Sequence, residues 1–416
     1  MPKRKRLQGF LREMMLHPQC IDISETAKAF AEEMRRGLMG GPSSLMMLKT
    51  YLTAPERERL RGRAVAVDIG GTNLRAVLAQ VQNGKADILR EAITAVPGRG
   101  EHLTKEAFFD AVARHIIPVS EGGDALGVAF SHSAEILPNL DGRILSLSKE
   151  IRVSGIEGAE VCREIQAALG RLRAHVPARC VLLNDATAVA LAAAEEAEGE
   201  NVIGLVLGTG MNLSCYDGGA GMFINTEAAG FNVFPRGEVD ALLDAGTATP
   251  GEHLLEKATA GRYIGDLVLT ALRLAAQEEL FSPGINESEP AVSTLTADSV
   301  SAFLAGKGEG DVLRALCGTP EDEKAVTAII EAILERAARL ITAAVMGVLI
   351  HTGVGAHPQR PAALSLEGSM ILRMHTLRPR VEALLRCETE KLGRSCTTIA
   401  AQDAVIRGAA LAALMD

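Results

Sequence analysis

Tryptophan is absent from this chain, and aromatic residues of all kinds make up only 3% of it. That scarcity bears on any pocket that is ordinarily lined by rings. No C-x-x-C pair occurs among the seven cysteines, Cys20, Cys162, Cys180, Cys215, Cys317, Cys387 and Cys396. An odd, scattered set in a long chain fits reduced thiols in a cytoplasm. Positive charge is not in excess either. The formal net charge is -9, so nothing draws the whole molecule to nucleic acid or to a membrane surface. No apolar run reaches about 18 residues, so a membrane-crossing helix is not expected. The basic start, MPKRKRLQGFLREMML, lacks the apolar stretch and small-residue cleavage site of a secretory signal. It reads as an amphipathic helix packed on the body of the protein rather than as a membrane anchor.

What is present is an ordinary globular composition, 47% hydrophobic and 23% charged, over 416 residues. That length exceeds one compact core and implies about two domains. The first sixty residues read as helical with a break at 40–45, GGPSSL. Residues 64–80, AVAVDIGGTNLRAVLAQ, read as two strands around a glycine turn. A helix over 105–117 precedes a buried strand at 125–131. A helix over 158–174 precedes the short apolar strand 180–185, CVLLND. The alanine-rich run 186–199 is a strong helix ended by Gly199, with Asn184 and Asp185 at its N-cap. Residues 202–217, VIGLVLGTGMNLSCYD, repeat the strand–glycine turn–strand device. Residues 250–276 read as helix interrupted near Gly261, with Pro250 at the first helical position. Residues 281–310 read as loops around one short helix. A long helix over 321–350, a buried strand over 362–368 and a closing helix complete the pattern. Two similar hairpins among alternating strands and helices indicate an α/β protein of two related halves.

The two hairpin tips carry the chemistry. Glycine lets backbone approach a ligand closely, and successive N–H groups at such a turn form an anion-binding nest. Gly70, Gly71, Thr72 and Asn73 stand at one tip, with Asp68 just before them. Gly208, Thr209 and Gly210 stand at the other. Neither tip is a Walker A loop or G-x-G-x-x-G, and either alone reads equally well as a plain hairpin. Together, and with Asp68, they favour a phosphate clamp. Asp185, taken alone, reads first as a helix cap; Glu227 and Glu256, taken alone, read as solvated glutamates.

DIGGTNLR, GTGMN and LSLEGS resemble the phosphate and adenosine motifs of the actin–Hsp70–sugar kinase superfamily. More closely, the chain resembles the hexokinase family of the eukaryotic glucokinase type. SSLMMLKTYL, SGIEGAEV, LLNDATA, INTE, TPGEHLLEK, LEGS and RGAALAAL follow one another in order over nearly the whole chain. The resemblance implies a two-domain actin-like (ribonuclease H-like) fold with a cleft. A small domain of 61–184 plus about 403–416 would face a large domain of 1–60 and 185–402. It implies transfer of the ATP γ-phosphoryl group to the 6-hydroxyl of a hexose, with Asp185 as the base. By the same resemblance Ser131, Ser148, Lys149, Asn184, Asn212, Glu227 and Glu256 hold the sugar, and Lys149 also steadies the transferred charge. Asp68 reaches Mg²⁺ through water, and Gly368 and Ser369 contact the adenosine. Arg75 reads as structural or phosphate-steering. The implied partners are a hexose and ATP, with no nucleic acid or membrane, in a monomer or homodimer.

The polar set is kept while its apolar frame is changed. Leu147-Ser148-Lys149-Glu150-Ile151 stands where the family has Trp-Thr-Lys-Gly-Phe. Glu227-Ala228-Ala229-Gly230-Phe231 stands for Glu-Trp-Gly-Ala-Phe, and His132-Ser133 for Phe-Pro. His253 replaces a glutamine near Glu256. Glucose is the expected sugar; another hexose, another phosphoryl donor such as polyphosphate, or a poorly catalytic sugar sensor are the alternatives.

Overall fold

The computed structural model describes residues 3–147, 151–197, 199–282, 294–308 and 311–415. Its frame is two sheets of one topology. In the first, Arg61–Ile69, Asn73–Gln82 and Lys85–Ala95 run antiparallel in sequence, and Ala125–Phe130 and Arg179–Leu183 add in parallel on the other side of Arg61–Ile69. In the second, Val202–Leu207, Met211–Asp217 and Met222–Asn225 form the antiparallel run, and Ala362–Glu367 and Cys396–Ile399 add in parallel. Counted along the chain within each half, both sheets have the spatial order 3-2-1-4-5. Ala125–Phe130, Val202–Leu207 and Ala362–Glu367 are buried along nearly their whole length, as strands covered on both faces must be.

Each sheet hands the chain to a helix at the same place. Asp185–Ala193 leaves the first and Ala404–Leu414 leaves the second. The two helices pack on each other and close the gap between the halves. Alanine and glycine permit this approach: a Cβ on Gly408 would lie 1.8 Å from the Ala188 carbonyl oxygen. Small residues here take the place that rings would fill elsewhere, in keeping with the 3% aromatic content. The basic N-terminal helix Lys3–Glu13 buries Phe10 and Leu11 in the core around the second sheet, as the amphipathic reading expects. Among the described residues no helix is long and apolar enough to cross a membrane.

Several readings need correction. Helix ends at Leu38 in the N-terminal segment, and beyond the break Leu48–Lys49 pairs with Met222–Asn225 as an edge strand. Met47 and Tyr51 adopt positive φ there, a conformation that no helix continues through. The alanine-rich helix stops at Ala193, not Gly199. Glu195 is pulled aside to accept from the Ala86 amide at 3.0 Å and to pair with Arg407 at 3.3 Å. Pro250 starts no helix: the helix begins at Leu254, after His253 at φ 52°. The preceding turn is held instead by buried Lys257, which donates to the Asp244 carboxylate and the Thr249 carbonyl. Lys85–Ala95, largely exposed and charged, and Leu377–Leu392, which buries Leu377, Val381 and Leu385 at helical spacing, are further regular elements that the residue pattern leaves unassigned.

Candidate active site

Asp68 before the first tip, Glu367 beside the second and Asp185 at the start of the helix Asp185–Ala193 lie near enough for their charges to act on one another. Asn184 caps that helix, its Oδ1 accepting from the Ala186 amide at 2.8 Å. The cap and base readings of this pair are therefore not exclusive. Asn184 does the capping, while Asp185 accepts from Ala186 N at 2.8 Å and has the Ser131 hydroxyl near enough to favour its ionised form. Burial pushes the Asp185 carboxyl above its usual range, and the Ser131 hydroxyl and the Ala186 and Asp185 amides oppose that rise without cancelling it.

A connected polar floor lies beside Asp185. Asn212 Nδ2 donates to Asn225 Oδ1 at 2.8 Å and lies 3.3 Å from Asn184 Oδ1. Asn225 Nδ2 donates to Glu227 Oε1 at 2.7 Å. Burial, and then the Asp185 charge, raise Glu227, which the asparagines and His253 oppose. Glu256 accepts from Met211 N at 3.1 Å and is likewise raised by burial, with His253 among the charges that lower it. Glu227 and His253 both sit at positive φ, 53° and 52°. Backbone of this kind persists where surrounding structure over-determines it, and it gathers at ligand sites. Ser131, Asn184, Asp185, Asn212, Glu227 and Glu256 are thus brought to one locality. Ser148 and Lys149 lie outside the described residues. Asn225 was missed by the motif reading. It ends the strand Met222–Asn225 two residues before Glu227, inside the INTE motif itself.

At the first tip, Gly70 N donates to Asn73 O at 3.1 Å, and at the second, Gly208 N donates to Gly210 O at 3.0 Å. The first glycine of each turn therefore closes the turn itself. Gly71, Thr72 and Asn73 remain exposed at one tip, and Thr209 at the other. The second tip is seated on the helix Gly261–Gln277, whose Gly261 N donates to Gly208 O at 2.8 Å. Gly368 and Ser369 reach the same tip along the parallel strand. Gly368 has φ 108°, and a Cβ there would lie 2.4 Å from the Leu207 carbonyl oxygen. Only glycine lets these two turns meet so closely.

Asp68 is the next-to-last residue of the strand Arg61–Ile69 before the first tip. Burial pushes it up to about 7, with Asp185 and then Glu367 adding to the rise and Arg75 opposing it. A carboxylate so placed among others suits a divalent cation that brings its own waters and phosphate oxygens. Among the described residues no three His, Cys, Asp or Glu side chains form a direct metal-binding group. Arg75 is tied up elsewhere, with Glu91 at 2.5 Å and Asp403 at 2.7 Å. It braces the hairpin against the closing helix, which agrees with its structural reading.

Comparison with known proteins gives a consistent result. Two family models, both described as hexokinase, match residues 6–195 and 202–415. Hexokinase-1 of Oryza sativa subsp. japonica is 27% identical over 93% of this chain and 86% of its own length. Hexokinase-3 of Mus musculus is 27% identical over 91% of this chain, which spans 44% of that longer protein. Among solved structures, a hexokinase from Schistosoma mansoni complexed with glucose superposes with a TM-score of 0.79 at 20% identity, covering all of both chains. A second crystal structure of a hexokinase superposes at 0.81 and 21% identity, covering 99% of each. At such identities the structures bear on the fold, which is the two-domain actin-like sugar kinase fold.

Proposed function

The chain belongs to the hexokinase family and is an ATP-dependent hexose kinase, and from that premise we propose that it phosphorylates the 6-hydroxyl of glucose with Asp185 as the base. The observation that carries this reading is the position of Asp185. A half-buried carboxylate with a raised proton affinity adjoins Ser131 on one side and the Asn212–Asn225–Glu227 relay on the other. A base must hold its proton acceptor within reach of a hydroxyl and must be basic enough to take the proton as the bond forms.

In this account Asn184, Asn212, Glu227 and Glu256 bond the sugar hydroxyls, since amides and carboxylates match groups that both donate and accept. Ser131 orients Asp185 and the sugar together. Ser148 and Lys149 are proposed to complete the pocket by their resemblance to the family's Thr-Lys pair. The 6-oxygen attacks the γ-phosphorus, its proton passes to Asp185, and the bond to the β-phosphate oxygen breaks to release ADP. Gly71, Thr72, Asn73, Thr209 and Gly210 line the phosphates, and Gly368 and Ser369 the adenosine. Asp68 would hold Mg²⁺ through water, where the cation supplies neutralisation of the phosphate charge.

Residues 61–184 with 403–416 are proposed to move as one body over 1–60 and 185–402. Closure on the sugar would expel water that otherwise competes as acceptor. We assign the protein to the cytoplasm, where its seven free thiols stay reduced. The sugar assignment is tested with a panel of glucose, mannose, fructose and glucosamine at fixed Mg·ATP. Glucose is expected to give the highest kcat/KM. A higher value for any other sugar removes glucose as the substrate and points to the altered frame, Ala228, Ala229 and His253, as the cause.

A further inference from the structure

The motif SSLMMLKTYL, residues 43–52, has no role in the site described above, yet its first residues rest against the turn that carries Glu227. They are tied down by Glu33 on the helix Ile23–Leu38, a carboxylate only 6% exposed. Its Oε2 accepts from the Ser44 amide at 2.6 Å and from the Ser44 hydroxyl at 2.9 Å, and its Oε1 accepts from Arg36 at 3.0 Å. The Ser43 hydroxyl donates to the Glu33 carbonyl at 2.8 Å and accepts from the Leu45 amide at 3.0 Å. Burial draws the Glu33 carboxyl upward, but the serine donors and then the Arg36 charge outweigh it and keep the group ionised at neutral pH.

The Ser44 carbonyl held in this way stands against Gly230, where a Cβ would lie 2.4 Å from its oxygen. The resembling family has alanine at this position; glycine is what admits so close an approach. Gly230 N in turn donates to the Glu227 carbonyl at 3.1 Å and closes the turn Ala228–Gly230. The same helix reaches the turn a second time through Phe30, whose ring centroid lies 5.0 Å from that of Phe231. Phe30, Glu33 and Gly37 fall at i, i+3 and i+7, one helix face, and a Cβ on Gly37 would lie 2.6 Å from the Leu45 carbonyl oxygen. One face therefore holds residues 43–45 and the Glu227 turn together. Glu227 begins that turn at φ 53°, a conformation a glutamate keeps only where its surroundings enforce it. We infer that Glu33 is a positioning residue which, through Ser44 and Gly230, enforces the turn that presents Glu227 to the sugar. The inference rests on the kinase reading above.

The test compares Glu33→Ala and Glu33→Gln with the wild type by calorimetric titration of glucose and, separately, of Mg·ADP. Where the sugar panel favours another hexose, that hexose replaces glucose. With Glu33→Ala, sugar binding weakens by about 5- to 20-fold, since the Ser44 donors lose their acceptor, while Mg·ADP binding stays within about twofold. The KM for the sugar rises in parallel, and kcat at saturating sugar changes by less than about threefold. Glu33→Gln keeps an oxygen for the Ser44 donors and recovers most of the loss. Sugar binding by Glu33→Ala at wild-type strength overturns the inference. So does an equal weakening of sugar and Mg·ADP, which marks a merely structural residue. If Glu33→Ala does not fold, the double variant Ser43→Ala, Ser44→Ala carries the same comparison, and wild-type sugar affinity in it overturns the inference. A wild type that binds a hexose but transfers no phosphate removes the proposed function, and the sugar titrations still decide the role of Glu33.

Discussion

Asn225 Nδ2 donates to Glu227 Oε1 at 2.7 Å, and the same asparagine accepts from Asn212 Nδ2 at 2.8 Å. One buried side chain, 4% exposed, therefore fixes the orientation of two residues proposed to hold the sugar. Asn225→Ala leaves both partners without it, and an unsatisfied buried polar group costs about 1–3 kcal/mol. The expected outcome is glucose binding weakened by at least about tenfold, with Mg·ADP binding unchanged, both read by calorimetry. Unaltered glucose affinity would mean that the relay does not position the site.

Asp185 makes a second prediction, in which stability and activity move apart. Its folded-state proton affinity is raised by burial. The native state therefore holds the proton more tightly than the unfolded chain does. The stability this contributes is complete below the unfolded carboxylate value and is lost as pH rises through the folded value. At pH 8 the wild type carries the cost of a half-buried charge, and the neutral isostere in Asp185→Asn removes it. The variant is expected to melt about 2–4 °C higher at pH 8, with the gain shrinking on acidification. Its turnover falls by about 100-fold or more, the usual contribution of a positioned base. A variant that melts lower at pH 8, by an amount independent of pH, contradicts the burial argument.

Gly368 joins the second hairpin tip to the strand Ala362–Glu367. At φ 108° and 2.4 Å from a backbone oxygen, a Cβ meets both torsional strain and a neighbour that is not a flexible side chain. Gly368→Ala is expected to lower stability by about 1–3 kcal/mol and to weaken Mg·ADP by displacing Gly208. Thermal melting and nucleotide titration read the two effects. Wild-type values for both would show that this approach is not needed.

Much of the frame was legible from residues alone. The two hairpins, the buried strands at 125–130 and 362–367, and the long helix Pro320–Thr352 each follow an apolar period strong enough to read. What escaped depends on tertiary contacts. Lys85–Ala95 is a strand because it pairs with Asn73–Gln82 along its length, although one face is charged and exposed. Met47 and Tyr51 carry an ordinary helical composition, and only packing against Met222–Asn225 turns that segment into an edge strand. The ordered motifs also pointed to Asn184, Asp185, Asn212, Glu227 and Glu256, which the fold gathers in one place. The bond from the Ser131 amide to the Ile69 carbonyl joins positions 62 residues apart, too remote for any local pattern to reveal. The nearness of Glu367 to Asp68 is likewise a property of the folded cleft.

The central claim is that this chain moves phosphate from ATP to a hexose through Asp185. It is tested most directly by measuring ADP and glucose 6-phosphate together, with glucose and Mg·ATP, in wild type and Asp185→Ala. The account predicts one sugar phosphate formed per ADP in the wild type, and loss of both products by about 100-fold or more in the variant. A wild type silent with every hexose tried, or an Asp185→Ala protein that keeps full turnover, would contradict it.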